Sequence, residues 1–140
     1  MEDIFSNKAV ALSHRYRILP VESKVSSIED LHNFDLVVSC VDNSTLRRML
    51  FENYYVLEDF LDLRSEGKSY AAYSKCGNSQ QKLINTLPKK DIENGSCQLL
   101  SDKRVGHIQQ GNKIIAYIGS QFILDKYRGI NTSLSLVQTL

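Results

Sequence analysis

Along this chain apolar residues gather in blocks whose spacing alternates between helix-like and strand-like. Asn7 is a helix-capping type, and Ala9, Val10, Leu12, Tyr16 and Leu19 follow as an approximate stripe that Pro20 stops, which predicts a helix from Asn7 to about Leu19. From Asp35 to Asp42 the sequence reads DLVVSCVD, an apolar, β-branched run without polar alternation. Such a run predicts a strand covered on both faces, as in a parallel sheet with helices on each side. Asn43 and Ser44 are again capping types, and Leu46, Met49, Leu50, Tyr54 and Leu57 recur behind them at helical spacing. The predicted unit is strand, tight turn, helix.

Two shorter runs follow. Phe60 to Leu63 and Ser69 to Ser74 (SYAAYS) predict strands that pair as neighbours across the turn-like stretch Arg64 to Lys68. From Cys76 to Ser96 the chain is polar, with one helical turn expected near Gln80 to Asn85, and Cys97 to Leu100 predicts a short extended piece. Long excursions inside compact domains are often functional. Gly111 then precedes the longest helix, in which Ile114, Ile115, Ile118, Phe122 and Ile123 form a wide apolar face and Gly129 supplies a left-handed cap. Ser133 to Val137 has strand character. The pattern is that of one α/β domain over residues 1–140, with an excursion over 76–110 and a long helix over 111–129.

Composition changes this picture little. With 42% apolar and 24% charged residues and two prolines among 140, the chain fits a folded domain, large enough to bury roughly two-thirds of its unfolded surface. No apolar run approaches the ~20 residues of a membrane-spanning helix. The first residues, MEDIFSNKAV, lack the basic and apolar regions of a signal peptide, so a cytoplasmic location is expected. Cys40, Cys76 and Cys97 cannot all pair with one another and are expected as free thiols, Cys40 within the strand core.

Charge is more informative once divided. Residues 1–40 sum to −2, residues 41–66 to −3 and residues 67–140 to +6, giving the net +1. The basic half is either an ordinary solvated surface or a face for a nucleic acid or acidic partner. Its lysines are scattered, and only Lys89 and Lys90 are adjacent.

The segment Cys40 to Arg47, at the carboxyl end of the predicted strand, carries the candidate chemistry. In open parallel sheets ligands bind outside those strand ends, beside helix N-termini whose N–H groups favour phosphate. Asp42 there can hold a Mg²⁺ that bridges phosphate oxygens. Asn43 could orient it, and Arg47, one turn on, could neutralise a polyphosphate. The alternative is that Asp42 and Asn43 only cap the helix. Arg64 and Glu66 either face the same crevice or form a salt-bridged turn. Cys97 is a nucleophile if Lys103, Arg104, His107 or a helix N-terminus lowers its pKa, and otherwise an inert small residue. His14 and His32 lack ligand spacing.

Several stretches in order resemble the ThiF/MoeB/HesA adenylating superfamily, which includes the activating enzymes of ubiquitin-like proteins. NKAVALSHRYRIL resembles its helix ending in an Arg-rich turn, FDLVVSCVDNSTLR its strand-Asp-Asn-x-x-x-Arg signature, and FLDLRSEGKSYAAY the two strands after it. QQGNKIIAYIGSQFILDKYRG resembles the long helix after the crossover loop, which usually contributes to a dimer interface. The resemblance covers roughly residues 7–129. It implies a partial Rossmann-like fold with a mixed sheet flanked by helices, and ATP-dependent adenylation of the C-terminal carboxylate of a ubiquitin-like or sulfur-carrier protein. Asp42 is then the Mg²⁺/ATP aspartate, and Cys97 falls where the family places its cysteine-bearing crossover loop.

The chain also departs from that family. No GxGxxG is present, and all seven glycines lie from Gly67 onward, so the N-terminal Gly-rich βαβ unit and its acidic ribose-binding residue are missing. Three isolated cysteines cannot form the paired CxxC zinc site, and no zinc is expected. Three functions follow, in order. The first is an adenylyltransferase fragment or subunit that uses ATP and Mg²⁺ with a partner supplying the nucleotide loop. The second is a catalytically silent relative that binds a partner through its basic half and long helix. The third is a nucleic-acid-associated binding module. Homo- or hetero-oligomers through 111–129 are expected, and no membrane partner.

Overall fold

The computed structural model describes residues 18–21, 23–88 and 110–139, and they form an α/β unit around a four-stranded mixed sheet. After a 3-10 turn at Ile28–Asp30 come β1 (Val37–Ser39), α1 (Ser44–Glu52), β2 (Phe60–Glu66), β3 (Ser69–Ser74), α2 (Gln80–Asn85), α3 (Gly111–Tyr127) and β4 (Ser135–Thr139). The strand order is β1-β2-β3-β4. β1 runs parallel to β2, which the α1 crossover requires. β3 and β4 are antiparallel additions.

The strand expected over 35–42 is shorter, and it is β2 rather than β1 that is covered on both faces. β1 is an edge strand of the described sheet, and Val38 is 37% exposed. Cys40, expected in the core, is exposed because the strand ends before it. Phe60 to Leu63 are all buried. Alternation sends Phe60 toward one core with Leu50, Phe51, Leu57, Tyr73 and Leu83, beneath α1 and α2. It sends Leu61 and Leu63 toward the other, with Tyr70, Ala72, Ile115 and Phe122 beneath α3. Burying each such Leu or Phe contributes roughly 1.5–3 kcal/mol, so both layers are held chiefly by the hydrophobic effect.

β2 extends to Glu66, three residues past the expected end, because the connection to β3 is only Gly67 and Lys68. Gly67 takes φ 58°, the left-handed region a tight hairpin needs. Gly111 lets α3 begin against that hairpin: a Cβ there would lie 2.7 Å from Gly67 O and 2.9 Å from Ser65 Oγ. At the other end of α3, Gly129 at φ 71° closes a Schellman cap, with Gly129 N donating to Lys126 O at 3.0 Å and Ile130 N to Asp125 O at 2.9 Å. The α2 helix and the long helix occupy the positions their patterns predict. β4 lies two residues later than the expected 133–137. The predicted helix over 7–19 and the extended piece over 97–100 lie outside the described residues, apart from Ile18 and Leu19, which are in no regular element. No helix among the described residues is long and apolar enough to cross a membrane.

A cleft at the carboxyl ends of β1 and β2

β1 and β2 are parallel, so their carboxyl ends open on the same side of the sheet, where a cleft of about 460 Å³ lies. Cys40, Val41 and Asp42 enter it from β1, Leu63 to Glu66 from β2, and Asn112, Ile115 and Ala116 from the first turns of α3. Most of its wall is apolar, and its charged groups cluster at the β1–β2 end.

Asp42 stands at the turn from β1 into α1 and is exposed. Among the described residues no hydrogen bond or ion pair engages its carboxylate. Asn43 is the cap of α1, its Oδ1 accepting from Leu46 N at 3.0 Å. That bond satisfies one of the N–H groups a helix start leaves open.

Arg47 lines the cleft but is already committed. Its Nε donates to Asp62 Oδ1 at 3.1 Å and its NH2 group to Val41 O. Asp62 has no exposed surface, and its other oxygen accepts from Arg64 Nε at 2.6 Å. Arg64 in turn donates through NH1 to Thr86 O at 3.1 Å and through NH2 to Thr86 Oγ1 at 2.9 Å, with its guanidinium 4.8 Å from the centre of the Tyr73 ring. A carboxylate buried this deeply needs such partners, because desolvating an unpaired charge is prohibitive. One buried carboxylate thus holds two guanidiniums beside the cleft.

Arg64 and Glu66 share the crevice with Asp42, but Arg64 pairs with Asp62 rather than Glu66, and both residues belong to β2. The charged side chains lining the cleft are Asp42 and Glu66 against Arg47 and Arg64, which balance, with the buried Asp62 behind the two arginines. No cluster of three or more metal-ligating side chains occurs among the described residues.

Asp62 was not singled out by sequence, though an aspartate inside an apolar strand with an arginine two residues on is a readable sign of a buried pair. Cys97 lies outside the described residues. Cys76 is exposed, its Sγ 3.6 Å from Asn131 Oδ1, and does not line the cleft. His32 is exposed, with Nδ1 2.8 Å from Glu29 O. No family model, no curated protein and no solved structure matches this chain.

Proposed function

We propose that this chain is the ThiF-type portion of a cytoplasmic adenylating enzyme that activates the C-terminal carboxylate of a ubiquitin-like or sulfur-carrier protein. In this reading a partner chain supplies the phosphate-binding loop, and the fold is a partial Rossmann-like one. One observation carries it: Asp42, unengaged by any described residue, stands at the carboxyl end of a parallel strand in a cleft that Arg47 and Arg64 also line.

The reaction is attack of a carboxylate oxygen on the α-phosphorus of ATP, forming an acyl-adenylate while the bond to the departing pyrophosphate breaks. Positioning and charge neutralisation dominate such a step. Mg²⁺, when bound with the nucleotide, neutralises phosphate oxygens. Asp42 is the residue that would hold it, and Glu66 adds negative potential on the same side. Asn43 holds the start of α1 in place, and Asp62 fixes the direction of both guanidiniums. Arg47 acts on phosphate only through the donors that Asp62 and Val41 leave over. The outward side of the long helix, with Tyr117 and Tyr127 exposed, supports contact with the partner chain.

A second reading is favoured by the commitment of Arg47 to Asp62: a catalytically silent relative whose cleft binds a partner without turnover. ATP–pyrophosphate exchange separates the two. The purified chain should be silent alone and gain exchange with a chain bearing a strand-GxGxxG-helix unit and a ubiquitin-like protein. Asp42→Ala should abolish that exchange. Exchange by the lone chain refutes the need for a partner loop, and silence with every such pair favours the second reading. Salt-sensitive binding to DNA or RNA, with no exchange, would favour the nucleic-acid module instead.

A further inference from the structure

β4 forms one edge of the described sheet, and its composition is unusual for an edge. Edge strands commonly carry a lysine, a proline or a bulge that blocks pairing with another chain. From Ile130 to Leu140 this chain has no charged residue and no proline. All five residues of β4 keep an unbroken register with β3, from Tyr73↔Ser135 to Ser69↔Thr139, so no bulge interrupts it.

The hydrogen-bond phase of this edge follows from its neighbours. Ser74 N donates to Leu134 O at 3.0 Å. By the alternation of an antiparallel ladder, Leu136 and Gln138 also turn their backbone groups toward β3, while Ser135, Val137 and Thr139 turn theirs outward. Among the described residues nothing bonds to those outward groups. Val137, at their centre, is 68% exposed.

We propose that β4 is a self-association edge, on which two copies of this chain pair antiparallel about a two-fold axis at Val137. The two four-stranded sheets then become one of eight strands. In this register Val137 exchanges both backbone bonds with the partner's Val137, and Ser135 does so with the partner's Thr139, in each direction. All three pairs fall on groups that face outward. The occupant is a second copy because an uncharged strand is compatible with itself: serine meets threonine and valine meets valine, and no like charges oppose. The contact is isologous and closes as a dimer. Val137 also lines the cleft described above, so the pairing is read from the association state and not from adenylation.

Sedimentation velocity over a concentration series tests the pairing, with circular dichroism confirming that each variant folds. The wild-type chain should dimerise. Ser135→Lys with Thr139→Lys sets lysine against lysine at both outer pairs and should weaken the dimer about tenfold or more. Ser135→Glu with Thr139→Lys alters the same two positions but sets glutamate against lysine, and should keep the dimer. Val137→Lys, on an already exposed side chain, should dissociate it independently, so the inference stays testable if the double-lysine variant fails to fold. A wild-type chain that is monomeric throughout overturns the inference. So does a dimer that survives Val137→Lys, or one lost equally with either charge arrangement.

Discussion

Replacing Asp62 by asparagine removes the charge that two arginines share while keeping the side chain's size. Asp62 is fully buried and accepts from Arg47 Nε at 3.1 Å and Arg64 Nε at 2.6 Å. Hydrogen bonds to charged groups contribute about 1.5–3 kcal/mol each. Asparagine keeps one acceptor oxygen and turns an N–H₂ toward the other guanidinium, so one bond is lost and one contact becomes donor against donor. Removing one partner of a buried ion pair costs about 3–5 kcal/mol. Here the arginines are 13% and 18% exposed and retain Val41 O and Thr86, which eases their solvation and places the expected cost near about 3 kcal/mol. That is a large share of the roughly 5–15 kcal/mol that holds a typical domain together. Urea unfolding reads it as a midpoint lowered by about 1–3 M at unchanged slope. Arg47→Ala removes one of the two bonds and leaves Asp62 paired with Arg64, so it should cost less. The loss on Asp62→Asn should persist in 1 M salt, since a buried pair is little screened. A cost below about 1 kcal/mol, or a greater cost for Arg47→Ala, would refute the keystone role of Asp62.

Tyr54 donates its hydroxyl between Lys75 O (3.1 Å) and Asn78 O (2.9 Å), and burial, reinforced by neighbouring negative groups, pushes its pKa above the ordinary 10.0. Its contribution is complete below that ordinary value and is lost as pH rises through the raised one. Tyr54→Phe should therefore cost about 1 kcal/mol at neutral pH and flatten the alkaline fall in stability, as followed by thermal melts from pH 8 to 11. Gly111→Ala drives a methyl against Gly67 O, a backbone atom that cannot turn aside. It should lower stability by about 1–3 kcal/mol in the same melts, whereas an unchanged melting temperature would show that α3 shifts freely.

The sequence made the local start signals readable and concealed the long-range pairings. Asn43 marked the start of α1 because a cap acts within three residues, and Gly129 marked the end of α3 for the same reason. Phe51 was missing from the expected stripe of α1, yet it is fully buried and packs its ring 5.6 Å from that of Phe60. A helix lying in a crevice buries a broader arc than a stripe suggests. β1 was expected to be longer and covered, because an apolar run does not say where a strand sits in its sheet. Asp42 and Arg47, the residues the sequence points to, both line the cleft. The partner that holds Arg47 lies 15 residues away, and only the register Ser39↔Asp62 brings Asp62 alongside.

The unequal spans of the sheet's pairings bear on how it assembles. β2 and β3 join residues 3–13 apart in sequence, whereas β3 and β4 join residues 62–70 apart. Loop-closure entropy grows with the logarithm of that separation, which sets the second pairing at a disadvantage of about 2 kcal/mol before any contact forms. The hairpin is thus the natural early structure, and β4 is the last strand to join and the first to leave. While β4 is away, the backbone groups on that side of β3 are without their partners. A cell making this chain would meet its sheet first as a half-finished edge.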